Sequence, residues 1–508
     1  MRIDASRRAL LAGSAAGALL PFVRLPEARA AKPGFLTFGL SSFPPSIQPW
    51  ANTGTAAATV KLMIYRGLTS YGPDGAIRPE LADSWRQVGD TGWEFKLRDA
   101  SFHNGQKLSS ADVKWTIEQV AAEKSTAHFK AQFTGAVVET PDERTVRIIM
   151  KSPVSMLPEW MASYHLPIVS RSSTGSAFVG AGPFMIKGQE RGVAIDLEPF
   201  ANFHRKGLPR LKGLRAVAYA DENLRVAALR SGDVDLIEYV PWQSMDSITK
   251  DPALKLDSID GAFMFLVFNG GKAPFNDPRV RKAVGHAIKR DELVKAAFFG
   301  RGSPLQQLPI AESAAFYNKE FKEGWRYDPA LAKKLLADAG VPNGFSCSLL
   351  STAQYGMHKD TAEVVQQHLA AVGIKVELNM PDWATRVALG NKGQYDLAVM
   401  GTAADSNDPD GIASFIDGSL SPSYARSVNL PTPKITELLA KGRAEFDAAK
   451  RRDIYREVER LAIDEAPIVG LTWRSQGYGM RRQVTGFKNM PGALTFYSGM
   501  TFETTDVS

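Results

Sequence analysis

Cysteine is nearly missing from this chain: Cys347 stands alone among 508 residues. A single thiol closes no internal disulfide, so the fold must rest on buried apolar surface, which a chain of this length can supply. The seven histidines are scattered without metal-ligand spacing. After Val23 no uncharged apolar stretch approaches the ~18 residues of a membrane span. A surplus of one charge is missing too. With 61 basic and 54 acidic residues the net charge is +7, a weak field over so large a surface and no nucleic-acid signature. The motifs of familiar enzymes are absent: no G-x-S-x-G elbow, no phosphate loop, no HExxH. Gly180-Ala181-Gly182 begins like a dinucleotide loop but lacks the third glycine. Asp405 to Gly411 looks like a calcium loop, yet Pro409 occupies a place that needs an oxygen ligand. No metal, cofactor or catalytic residue is expected, Cys347 reads as a buried structural thiol, and the chain is not read as an enzyme.

What is present starts with the N-terminus. Arg2, Arg7 and Arg8 form a basic region, Ala9 to Val23 is apolar and uncharged, and Ala28-Arg29-Ala30 offers an A-x-A cleavage site. These are the parts of a secretory signal over residues 1–30. Ser6-Arg7-Arg8-Ala9-Leu10-Leu11 resembles a twin-arginine signal, with Sec export as the alternative. The expected location is the periplasm. Removing the segment takes away five Arg and two acidic residues and leaves a net charge of about +4.

The remainder has ordinary globular composition, 44% hydrophobic and 23% charged. Trp93–Arg98 and Thr145–Met150 read as strands. Ser109, with Asp112 three residues on, reads as a capping box for a helix with Val113, Ile117 and Val120 on its apolar face. Asp277-Pro278 and Asp328-Pro329 each pair an N-cap with a proline suited to the first helical turn. A helix is expected over Thr361–Val372, then a strand at Ile374–Leu378, a helix at Trp383–Leu389 and a strand at Tyr395–Met400. The loop after Met400 is a site candidate, because ligands of open α/β sheets bind beyond the carboxyl ends of strands.

Five ordered blocks carry a resemblance. They are Gly67-Leu68 through Pro79-Glu80-Leu81-Ala82-Asp83-Ser84-Trp85 with Trp93 to Val113, then Gly180 to Phe184, then Phe268-Asn269 with Ala273 to Ala283, then Tyr395-Asp396 with Asp405 to Pro409, and Ala466 to Val469. Together they resemble the family 5 extracellular solute-binding proteins, the peptide, nickel and opine binders of ABC importers. Most of these block residues read as fold: Trp85, Phe95, Leu97 and Phe102 as core, and Gly67, Gly105 and Gly182 as turns.

The resemblance implies an α/β fold of two lobes hinged by two crossing strands, a type II periplasmic binding protein with an extra subdomain in lobe one. Lobe one would span 31–266 with an insertion at about 60–180, lobe two 267–472, and a return 473–508. The crossings would lie near Val267–Asn269 and Leu471–Trp473. The implied function is capture of a peptide or similar polar, amine-bearing solute between the lobes and delivery to the permease subunits of an ABC importer; a ligand sensor or peptide chaperone is the alternative. No nucleic acid is implied, and a monomer is expected. By the same resemblance Asp405 would hold a ligand amine, Trp383 would line the cleft, and Trp473 would lie against the ligand. The arginine that clamps a dipeptide carboxylate is replaced by Thr352, with Lys359 or His358 as substitutes. Arginines of the oligopeptide binders fall on Gly390 and Val399, and a shared cleft Trp on Thr402.

Overall fold

Two long strands organise the molecule. Leu254–Phe268 and Ile468–Arg481 run antiparallel side by side. In this computed structural model residues 33–508 are described, apart from 52, 53, 313 and 315; the export signal read at 1–30 lies outside them. On one side of the long pair lie Leu397–Ala403, Phe345–Leu350 and Ile374–Asn379. On the other lie Leu236–Ile237, Phe35–Leu40, Gly213–Ala218, Ala194–Pro199 and Phe184–Glu190; with Gly302–Pro304, which pairs with the second long strand, they form one eleven-stranded sheet that runs through both lobes. Cores gather around Phe38, Leu214 and Phe502 in lobe one and around Phe265, Trp325 and Phe415 in lobe two, and a third, with Leu229 and Trp242 beside Val284 and Phe298, is continuous across both.

Pairing of the long strands slips between Asp260 and Ala262, opposite Arg474 and Ser475. A bulge of this kind bends a strand and interrupts its ladder. Gly261 sits at the slip because a Cβ there would lie 1.9 Å from the Gly492 carbonyl oxygen. A second slip falls between Met264 and Phe265.

The insertion is a four-stranded antiparallel sheet of Ala82–Val88, Gly92–Leu97, Thr145–Ile149 and Val137–Asp142. Its core includes Phe95, Phe102, Val113 and Ile117, as the alternation of the strand and the helix stripe require. The capping box forms: Asp112 Oδ2 accepts from the Ser109 N–H at 3.0 Å. Gly105 has a left-handed φ of +82° and serves a turn. Gly182 does not; a Cβ there would lie 2.5 Å from the Ile64 carbonyl carbon, so close backbone approach is what demands glycine.

In lobe two the proline-started helices run Pro278–Ala287 and Pro329–Asp338. The next helix begins at Gly356, five residues before the expected Thr361. Its N-terminal N–H meets the carboxylate of Glu222, from lobe one, so its cap is remote in sequence. The last strand of this unit is Leu397–Ala403 rather than Tyr395–Met400.

One buried acid has a pH signature. Glu459 is fully buried, its single hydrogen bond comes from Asn318 Nδ2 at 2.8 Å, and burial pushes its carboxyl up to about 8. The native state thus keeps a proton that the unfolded chain loses above about 4.5. Stability from this group is full below that value and is lost as pH rises toward 8. Glu459→Gln is expected to raise stability by about 3 kcal/mol at pH 9 and to leave it unchanged at pH 4.5. Thermal melts of both proteins across that range check this; parallel curves refute it.

Candidate ligand-binding site

The loop after Ala403 carries three aspartates, and the fold gives them different work. Asp408 is bound by Arg451 at 2.7 Å from each Nη. Asp410 is bound by Arg443 Nε at 2.9 Å and by the Tyr455 hydroxyl at 2.9 Å. Both are thereby used within lobe two. Asp405 reaches outward, and its Oδ2 lies 3.6 Å from His128 Nε2 of the insertion. Asn407 accepts from the Ala493 N–H at 2.9 Å. This loop is one of the places where lobe two touches lobe one; Ser155 N–H donating to the Arg443 carbonyl at 2.7 Å is another.

A second group gathers where the long strands slip. Tyr239 holds a left-handed φ of 48°, a conformation that costs a non-glycine residue about 1–3 kcal/mol. Buried Arg225 fixes it by donating to the carbonyls of Glu238 at 3.0 Å and Tyr239 at 2.9 Å. The Tyr239 hydroxyl lies 3.1 Å from Thr55 Oγ1. The Arg474 guanidinium lies 5.7 Å from the Tyr239 ring and 5.7 Å from the Trp242 ring. Arg474 is 0% exposed; Nη1 donates to Gln476 Oε1 at 2.8 Å, and the Tyr239 hydroxyl is its other side-chain partner.

The third group is aromatic and belongs to lobe two. Asp382 caps the helix Trp383–Asn391 by accepting from the Thr385 N–H at 3.0 Å. That places Trp383 on the first turn, with ring centroids of Tyr355 and His358 at 5.5 Å and of Tyr424 at 5.9 Å. One turn along, Arg386 sits between Trp383 and Tyr424, its guanidinium 5.5 Å from each ring. It is 0% exposed. Its Nη atoms donate to the Tyr424 and Val399 carbonyls at 3.2 and 2.6 Å, and its Nε has no partner. His358 is buried, within electrostatic reach of both Arg386 and Arg474, and burial with these cations holds its imidazole neutral, well below the usual range. Tyr424 in turn lies within reach of Tyr239. The second and third groups therefore face one another across the interlobe space.

The sequence-based residues fare unequally. Trp383 is in this wall. Asp405 is at the lobe contact, already facing His128. Trp473 is partly buried, its ring 5.7 Å from that of Phe263 at the edge of a lobe-two core; the next residue, Arg474, is fully buried. Lys359 is exposed and pairs with Glu363 at 3.8 Å, whereas its neighbour His358 is the one inside. Thr352 donates to the Pro381 carbonyl at 2.7 Å. At Gly390 a Cβ would lie 2.7 Å from Tyr424 Cβ and 3.6 Å from Arg386 Nη1. Tyr239, Arg386 and Arg474 were not singled out from sequence. A groove of about 730 Å³ elsewhere on lobe one, lined by Phe43, Tyr65, His103 and Phe178, draws on no residue of lobe two. Among the described residues no three His, Cys, Asp or Glu converge as a metal site.

The chain matches the family described as bacterial extracellular solute-binding proteins, family 5 (middle), over residues 76–422. It is 26% identical to the glutathione-binding protein GsiB of Pectobacterium atrosepticum over 484 residues, covering 92% of this chain and 93% of that protein. Its structure is similar to that of the binding protein AgaA from A. tumefacien R10, solved with agropinic acid: TM-score 0.89, 39% identity, 93% of this chain and 99% of that one. It is also similar in fold to DppA from Helicobacter pylori, solved with the peptide STSA: TM-score 0.83, 22% identity, 93% and 98% covered.

Proposed function

We propose, for a chain that belongs to the bacterial extracellular solute-binding proteins of family 5, that the space between its lobes captures a small polar solute, peptide-like or opine-like, and hands it to the permease subunits of an ABC importer. The observation that carries this reading is the convergence of Tyr239 and Arg474, beside the strand slip, with Tyr355, His358, Trp383 and Tyr424 of lobe two. Such a wall is complete only when the lobes meet, so ligand burial, closure and presentation to the permease are one event. The ligands named for relatives, glutathione, agropinic acid and a peptide, span the proposed class. Aromatic rings supply contact area and fixed polar groups supply orientation, which gives affinity without turnover. The lobes divide at Gly261 and Ser475. The protein works in the periplasm as a monomer, after twin-arginine export and cleavage behind Ala30.

Native mass spectrometry of protein recovered from the periplasm tests this reading. The expected spectrum shows a chain shortened by about 30 residues carrying one small solute, released chemically intact. Re-adding that solute should lower the radius of gyration in solution scattering and raise the melting temperature by mass action. An unchanged radius, or steady conversion of the solute into product, defeats the proposal.

A further inference from the structure

Two carboxylates meet where the lobes come together. Glu222 opens the helix Glu222–Ser231 of lobe one, and Gly356 opens the helix Gly356–Ala370 of lobe two. The Gly356 N–H donates to the Glu222 carboxylate, and Asp360 stands one turn further along the second helix. Glu222 Oε2 and Asp360 Oδ2 lie 3.6 and 4.0 Å from the point that a Cβ on Gly356 would occupy. Acids of opposite lobes thus converge on one glycine, and both are half-buried.

The bases around them are engaged. Arg225 is within electrostatic reach of Glu222, but its guanidinium donates to the carbonyls of Glu238, Tyr219 and Tyr239 at 3.0, 2.7 and 2.9 Å. Lys359 pairs with Glu363 at 3.8 Å. Asp221 caps its own helix, accepting from the Leu224 N–H at 2.8 Å, and adds negative charge. Tyr355 bonds Ser42 of lobe one and stays protonated, burial pushing its phenol up to about 12. Burial raises the Glu222 carboxyl above the usual range; Asp360 and Asp221 add to this, while Arg225 and the Gly356 N–H oppose it. Burial raises Asp360 too, with Glu363 adding and Lys359 opposing.

We propose that closure of this protein is coupled to a proton: when the lobes meet, the Glu222–Asp360 pair takes up a proton from solvent, so a captured solute is held more tightly in acid than at neutral pH. This rests on the interlobe capture proposed above. Separated lobes leave each carboxylate in water and apart from the other. Closure sets two like charges together in a drier place, and one proton removes the repulsion and the burial cost of a charge. A neutral carboxyl keeps a carbonyl oxygen for the Gly356 N–H. Since the closed state raises the group above its ordinary value of 4.5, closure is most favourable below that value and weakens as pH rises through the raised one.

The test strips the purified protein of the solute it carries and adds that solute back in a calorimeter, for the parent, Glu222→Gln and His128→Gln. Glutamine at 222 keeps the shape and a carbonyl cap but takes no proton. Glu222→Gln should bind about two- to tenfold more tightly than the parent at pH 7.5, with the gap closing toward pH 4.5. Comparison with the parent cancels any titration of the solute itself. Repeating the titration at pH 6 in buffers of different ionisation heat should show the parent taking up protons on binding and Glu222→Gln taking up fewer. His128→Gln removes the other titratable contact between the lobes, that with Asp405 at 3.6 Å, and should leave the parent's uptake in place. A purely structural cap predicts weaker binding by Glu222→Gln at every pH, and that result overturns the inference. So do a ratio that stays constant with pH, uptake unchanged in Glu222→Gln, and uptake lost in His128→Gln. In each of these cases solute still binds and the capture function stands; a parent protein that binds no solute removes both.

Discussion

Replacing Glu80 with glutamine lowers the unfolding free energy by about 3–5 kcal/mol at neutral pH. Glu80 is fully buried, and three cationic or polar partners surround it. Arg66 Nε lies 3.4 Å and His204 Nε2 2.8 Å from one oxygen, and Arg205 bonds the other. Glu503 completes the group, with Arg66 Nη2 at 2.9 Å, Arg78 at 3.3 Å and Arg205. Three guanidinium groups thus face two carboxylates, drawn from stretches of chain far apart in sequence. Glutamine keeps the shape and leaves the arginines with one counter-charge in a dry site. Burial alone would push the Glu80 carboxyl up, but the His204 contact and the charges of Arg205 and Arg66 outweigh it and hold it well below the usual 4.5. Its stabilisation is therefore present above about pH 4.5 and fades as pH falls further. Urea unfolding at pH 7.5 and again at pH 3 measures both the cost and its fading. A loss under about 1 kcal/mol at pH 7.5 would put the pair in the class of surface bridges and sink the claim.

Arg290→Met should cost still more, about 4–6 kcal/mol, among the largest single-residue effects expected in any domain. The guanidinium lies where the second long strand enters lobe two. Nε donates to Leu305 O at 2.8 Å and Gly470 O at 2.9 Å, and Nη1 to Gly285 O at 3.1 Å, Ile288 O at 3.2 Å and Trp325 O at 2.6 Å. Nη2 adds Gly470 O at 2.7 Å. Methionine fills the space approximately but donates nothing, so carbonyl groups from four stretches of chain are orphaned at about 1–3 kcal/mol each before relaxation. Arg290→Lys keeps the charge and at most three donors, and should fall between parent and methionine variant. Chemical denaturation of the three proteins decides it. A methionine variant within about 1.5 kcal/mol of the parent would show that water replaces the guanidinium.

Local chemistry explains which elements were legible in advance. The helix starts at Pro278 and Pro329 carry their cap and their proline within two adjacent residues, so sequence suffices. The helix at Gly356 was misplaced because its capping carboxylate, Glu222, comes from the other lobe. Trp383 was singled out through the resemblance, and its helix start is capped locally by Asp382. Arg386 was not, because a charged residue on a short helix reads as surface until Trp383 and Tyr424 close over it. Trp473 and Arg474 show the limit most sharply. Successive strand residues point to opposite faces, so the assignment turns on which face looks into the interlobe space. The register slip at Asp260–Ala262, which no local pattern announces, accompanies that choice.

The sequence by itself determined the family, the order of elements and the composition of the insertion core, because each depends on short-range patterns or on blocks that recur together. Only the tertiary structure decided which charges are left over. Asp405 meets His128, Glu238 meets Ser41 and Glu222 meets the Gly356 helix through contacts spanning more than a hundred residues of chain. Arg386, Arg474 and Arg290 are buried and meet no acid among the described residues. A counter-charge is a property of three-dimensional neighbours in a medium that screens little, which no local pattern of the sequence reveals.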